Sequence, residues 1–185
     1  MKWMGERISF IDNKNQTTVV IYPPNIGIRK LFLLLWTMAW LAIGTYVFSQ
    51  FFAIPGPTEK EKIVLIVFLS FWFYYAIRVS KTLIYLYWGR EYMKLDQEGF
   101  SLKIATGRYG KSNRFFYENI KSLKVVSMKE TSFQHVYESS PWIKGSNRLF
   151  FDYMGKTISF GRKLKEEDAQ LLYKFLVKKI TQKSK

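Results

Sequence analysis

The sequence predicts a membrane α+β protein, in which a transmembrane helical hairpin carries an antiparallel β domain that ends in a helix. Three observations predict it. Residues 31–54 run for 24 positions without a charge. Residues 63–77 add 15 more uncharged, almost wholly apolar positions, and an aromatic-rich run continues to Trp88. Beyond Trp88 come short alternating segments, then one amphipathic helical pattern. A hydrocarbon core of about 30 Å takes about 20 helical residues to cross. The polar stretch from Pro55 through Gly56, Pro57 and Thr58 to Lys62 is the turn between two such crossings.

The predicted organisation is an N-terminal β-hairpin arm over 1–27, a hairpin of spans over 28–88 (31–54 and 63–86) and a soluble domain over 89–185. In the arm, residues 7–11 and 17–22 flank the turn-forming Asp12, Asn13, Lys14, Asn15 and Gln16, a hairpin pattern. An isolated hairpin is marginal in water, so the arm is expected to dock on the soluble domain or on a partner. The first apolar run starts about 30 residues in and lacks a small-residue cleavage site, which sets it apart from a signal peptide.

Charge orients the hairpin. Arg29 and Lys30 precede the first span, and Arg78, Lys81 and Arg90 lie at the end of the second. In the connecting turn, Lys60 and Lys62 are balanced by Glu59 and Glu61. Lys and Arg stay on the cytoplasmic side, so both termini are expected in the cytoplasm of a multi-pass protein of the bacterial inner membrane. Arg29, Lys30, Arg78, Lys81 and Trp88 are the expected interface anchors, with Trp36, Trp40, Phe51, Phe52, Tyr85 and Tyr87 as further headgroup-level rings. The alternative for Arg78 is a place on an ion path. Thr37, Gly44, Thr45 and Ser49 on one helix, with Ser70 and Ala76 on the other, offer a seam of small residues.

The chain of 185 residues carries +15, and 20 Lys or Arg against 10 Asp or Glu after Trp88 leave +10 on the soluble part. Nucleic acid, anionic lipid and span orientation all account for such an excess. Without a stacking motif of the RNA-recognition kind, nucleic acid is not an expected partner. The chain has no cysteine, which removes disulfides and thiolate metal sites.

Residues 92–96 and 100–105 read as strands around the turn Gln97, Glu98 and Gly99, with Phe100, Leu102 and Ile104 alternating with Ser101, Lys103 and Ala105. Residues 107–113 read as a loop, 114–117 and 123–128 as strands, 129–147 as a polar stretch, and 148–153 with 156–160 as a hairpin around Met154 and Gly155. Ala169, Leu172, Tyr173, Leu176 and Ile180 fall on one helical face. Glu166, Glu167 and Asp168 open that helix, and Lys174, Lys178 and Lys179 close it, as the helix dipole favours.

Strands ending in a single C-terminal helix resemble a pleckstrin-homology domain. More closely, the chain resembles bacterial membrane proteins that place a bacterial PH-like domain after two transmembrane helices. The residues that carry this are 92–96 with 99–102, 116–123, and 158–161 leading into 166–169. The resemblance implies a partly open barrel plugged by the helix, and no enzymatic activity. The two-span plan, the length, and Gly110, Lys111, Ser112, Asn113 and Arg114 are also similar to the photosystem I assembly factor family, which implies an assembly role. Eukaryotic relatives of the PH fold bind phosphoinositides through a basic first loop, whereas here that turn is the short, acidic Gln97-Glu98-Gly99.

The basic cluster lies one loop later, at Lys103, Arg108, Lys111 and Arg114, positions suited to a lipid headgroup or a partner. Residues 105–112 also satisfy a relaxed phosphate-loop pattern, but that motif needs a helix after a parallel strand, and a strand is expected here. His135, the single histidine, reads as a solvated loop residue. No metal spacing occurs, and no cofactor is implied. Phe133, Tyr137 and Trp142, with Val136 and Ile143, mark either a partner surface or a cover for the barrel end. The expected function is a non-catalytic accessory subunit or assembly factor of an integral membrane protein complex, with its spans on partner helices and its soluble domain on cytoplasmic loops. The alternative is a module that binds or senses an anionic phospholipid surface.

Overall fold

The computed structural model describes residues 1–13, 16–53, 56, 58–127 and 133–183. The side chains of Phe51 and His135, the outer end of the first span at Ile54, the turn residues Lys14, Asn15, Pro55 and Pro57, and the strand end expected at Met128 lie outside what is described. The chain divides into two compact units. One comprises Met1–Asn25, Tyr85–Ser140 and Lys144–Lys185, and the other Ile26–Ile84 with Pro141–Ile143.

The first unit is a β structure of nine strands among the described residues. β1 (Lys2–Met4), β2 (Ile8–Asp12) and β3 (Thr17–Ile21) come from the arm, followed by β4 (Gly89–Leu95), β5 (Gly99–Thr106) and β6 (Ser112–Phe116). These six form one antiparallel sheet in sequence order. The arm is thus three strands of the main sheet, with Val19 opposite Met93 and Ile21 opposite Glu91. β7 (Ile120–Val125), β8 (Asn147–Tyr153) and β9 (Lys156–Arg162) make a second antiparallel sheet. The two sheets do not close into a barrel.

Period-two patterning explains the main sheet. On β4, Glu91, Met93 and Leu95 face inward, while Arg90, Tyr92 and Lys94 face outward. The alternation expected on β5 fails at its end, where Ile104 is exposed and Ala105 buried. Asp96 closes the β4–β5 turn by accepting the N–H groups of Glu98 and Gly99 at 3.0 and 2.9 Å, an Asx turn. Met154 and Gly155, both at positive φ, make the two-residue turn between β8 and β9. The core is aromatic at its centre. Phe151 is fully buried and meets the rings of Phe100 and Phe115 edge-on at 5.3 and 5.1 Å. α4 (Glu166–Lys183) covers this core with Ala169, Leu172 and Leu176. The predicted helical face is the one it buries.

The second unit is a pair of helices, α1 (Arg29–Ala53) and most of α2 (Glu59–Trp88), whose last residues belong to the β unit. Both are long and apolar enough to cross a membrane. α2 starts before the expected residue 63 because Thr58 and Glu61 form a capping box. Glu61 accepts the Thr58 N–H at 2.8 Å, and Thr58 Oγ1 accepts the Glu61 N–H at 3.4 Å. Two tryptophans pin the pair: Trp72 Nε1 donates to the Trp40 carbonyl at 2.9 Å, and Trp40 Nε1 to the Trp72 carbonyl at 3.5 Å. Gly44 makes this approach possible, since a Cβ there would lie 1.8 Å from the Trp72 ring. Thr37, Gly44 and Ala76 are buried as the small-residue seam requires. Thr45, Ser49 and Ser70 are exposed instead, each hydroxyl bonded to a carbonyl of its own helix.

Candidate functional site

The β unit holds buried charges that sequence reasoning missed. Glu91 is 3% exposed, and its two oxygens accept the N–H groups of Gly161 at 2.7 Å and Arg162 at 3.0 Å. Arg7 donates to the carbonyls of Tyr22, Arg162 and Lys163. Gly161 and Lys163 both sit at positive φ. The β9–α4 connection therefore curls, turning N–H groups toward Glu91 and carbonyls toward Arg7. Burial lowers the Arg7 pKa, an effect opposed by Tyr85, Glu91 and Asp168. Burial likewise pushes the Lys163 ammonium down to about 8, where Glu138 opposes the shift and Arg7 adds to it. Lys163 Nζ donates to the Ser140 carbonyl at 2.7 Å. Both Glu91 oxygens are committed to backbone donors, so this cluster is built as a clamp between β4 and the β9–α4 turn. The signal available in the sequence was a lone Glu at an inward strand position.

The four predicted basic residues part company. Lys103 on β5 and Arg108 in the β5–β6 loop line a groove of about 580 Å³ together with Tyr92, Lys94, Ser101, Gly107 and Ser112. The groove lies on the outer face of the main sheet. Its register stacks Tyr92, Lys103 and Ser112 in one cross-strand row, and Lys94 and Ser101 in the next. Arg114 continues that second row but is held by Asp96 at 3.0 Å and Glu98 at 3.1 Å. It belongs to a separate hollow lined by Asp96, Gln97 and Glu98. Lys111 is exposed just before β6 and does not line the groove. Tyr92, Lys94, Ser101 and Ser112 were not singled out in the sequence. Period two was the available signal, because it puts 92 and 94 on the face opposite Met93 and Leu95.

Residues 105–112 span the β5–β6 hairpin turn, whose loop of 107–111 is closed by Thr106 and Tyr109 exchanging backbone hydrogen bonds at 2.8 and 3.2 Å. The following element is strand β6, which is not the strand–loop–helix setting of a phosphate loop. Among the described residues, no group of three or more His, Asp or Glu is placed to hold a metal.

The other predicted residues fall as follows. Arg29 and Lys30 open α1. Arg78 donates to the Tyr74 hydroxyl at 2.8 Å one turn away on its own helix, and Lys81 is exposed. Trp88 ends α2, 57% exposed, beside Tyr87 at 5.5 Å. Trp142 packs edge-on against Trp36 at 4.4 Å, and its carbonyl accepts the Thr82 hydroxyl at 3.3 Å. It is thereby a fitting of the helix pair. Phe133 and Tyr137 stack at 6.4 Å on a short helix, α3 (Phe133–Ser139), within the stretch expected to be polar loop. Phe133 is 83% exposed.

Comparison with protein-family models, with curated proteins and with solved structures finds no match to this chain. Both resemblances drawn from the sequence therefore rest on the residues that carry them.

Proposed function

We propose that this chain is a non-catalytic accessory subunit or assembly factor of a bacterial inner-membrane protein complex. Its two apolar helices span the bilayer and pack on partner helices. Its β unit, which we read as PH-like, lies in the cytoplasm and binds partner loops. One observation carries the proposal. Only 17% of the apolar window of α1 and 11% of that of α2 are buried, so most of this apolar surface faces outward. Lipid covers such a surface, and small residues and aromatics on it suit partner helices. The cations Arg29, Lys30, Arg78 and Lys81 gather at one end of the pair, which supports a cytoplasmic β unit. Gentle detergent purification of the tagged chain is expected to recover a stoichiometric membrane partner. A clean monomer across several detergents overturns the assembly role. Release by alkaline carbonate overturns the membrane placement itself.

The basic groove favours a second reading, an anionic-lipid-surface module. Each Lys or Arg near an anionic leaflet contributes about 1 kcal/mol.

A further inference from the structure

We propose that the groove on the outer face of the main sheet is a discrete site for the phosphate of a phosphomonoester lipid headgroup. This rests on the membrane placement proposed above and sharpens the lipid-surface reading from a diffuse attraction to a single site.

Three cations and three hydroxyls line the groove. Lys94, Lys103 and Arg108 supply the charge, and Tyr92, Ser101 and Ser112 the hydroxyls. The register sets them side by side, with Lys103 between Tyr92 and Ser112, and Lys94 opposite Ser101. Among the described residues, no carboxylate lines the groove. The acids closest along the strand and turn, Asp96 and Glu98, are both engaged by Arg114. Among the described residues, Lys94, Lys103 and Arg108 have no carboxylate within ion-pair distance. Lys103 Nζ donates to the Arg108 carbonyl at 3.2 Å, which ties the loop to the strand before any ligand arrives.

Size and charge select the ligand. The volume lies within the usual range for small-molecule sites, about 300–1,000 Å³. Three positive charges match a phosphomonoester, which carries close to two negative charges at pH 7, better than a singly charged diester. The hydroxyls can donate to the remaining phosphate oxygens. Chain connectivity argues for a lipid as the source. β4 follows α2 with no intervening residue. The groove's own loop is fastened to the last residue of α2, where the Gly107 N–H donates to the Trp88 carbonyl at 2.8 Å.

The test uses the full chain in neutral detergent, followed by native mass spectrometry during titration with short-chain phosphatidic acid or phosphatidylglycerol. One phosphatidic acid per chain is expected, bound at least about fivefold more tightly than the diester. Lys94→Gln with Lys103→Gln is expected to weaken it about 25-fold, about fivefold per cation, with unchanged melting. Lys111→Gln, outside the groove, should change it less than twofold. Equal affinity for the two lipids, several equivalents per chain, or an equal loss with Lys111→Gln overturns the site. Displacement by inorganic phosphate at matching concentration overturns the lipid source. This titration reads the groove alone, whereas carbonate extraction reads the membrane placement, so the two failures are told apart.

Discussion

The helix pair and the β unit use the same apolar residue types in opposite directions. In the β unit, Ile8, Val19, Met93, Leu95 and Phe151 point inward, and Lys, Arg and Ser cover the outside. In the helix pair, Phe32, Leu35, Ile43, Tyr46, Val64 and Phe71 point outward. Few of the pair's described residues are buried, among them Leu33, Thr37, Gly44, Ala76 and Val79. The contrast teaches what holds each unit. Water drives the β unit together by excluding its apolar area. The helix pair is held by close approach and two indole hydrogen bonds, the means left to it on the membrane placement proposed above.

The largest effect that sharpens this contrast is expected from Phe151→Ala. It empties the centre of the aromatic core and should cost the β unit about 3–5 kcal/mol. A lower chemical-denaturation midpoint with unaltered indole emission from the helix pair checks it. Glu91→Gln comes next. It replaces one acceptor oxygen with a donor against a backbone N–H and should cost about 2–3 kcal/mol. Hydrogen exchange at Gly161 and Arg162 reads the loss locally. Gly44→Leu forces the Trp72 ring away and should cost the helix pair about 1–3 kcal/mol. Its signature is a shift in indole emission with normal β-unit denaturation. Parallel loss in both units would break the comparison.

The smallest effect is a pH profile confined to the β unit. Lys163 loses its proton near 8 in the folded chain, against an ordinary 10.5. Between those values the unfolded chain holds more protons, so stability rises with pH. Burial raises the Tyr117 hydroxyl to about 12 from an ordinary 10, with Asp96 adding to the shift. From 10 upward the folded chain holds more protons, so stability falls. Denaturation midpoints are expected to peak near pH 10. Lys163→Met should remove the rising limb, and Tyr117→Phe should make the falling one shallower.

Legibility in the sequence followed the length and periodicity of each element. α1 announces itself by an uncharged run, α4 by its buried face, and β8–β9 by the Met154–Gly155 turn. The start of α2 was hidden because Lys60, Glu61 and Lys62 look like loop, although Thr58 and Glu61 spell a capping box. β1 spans three residues and α3 seven, too short for a period to emerge. The pairing of β3 with β4 joins segments on either side of the helices, which no local pattern reports. Of the candidate site, Lys103 and Arg108 were legible as a basic loop. Lys94 and Arg114 exchange importance only once the register places one in the groove and the other beside Asp96 and Glu98.

That joining of β3 to β4 has a consequence for biogenesis. Ile21 meets Glu91 only after about 70 further residues have left the ribosome. At roughly 5–20 residues per second, the first three strands wait on the order of 4–14 s with β3 as a bare edge. During that interval the nascent chain offers a ready template for mispairing. On the proposed membrane placement, insertion of the two helices becomes a timer: whatever slows it lengthens the exposure, and a ribosome-proximal chaperone on the N-terminal strands would be the natural remedy.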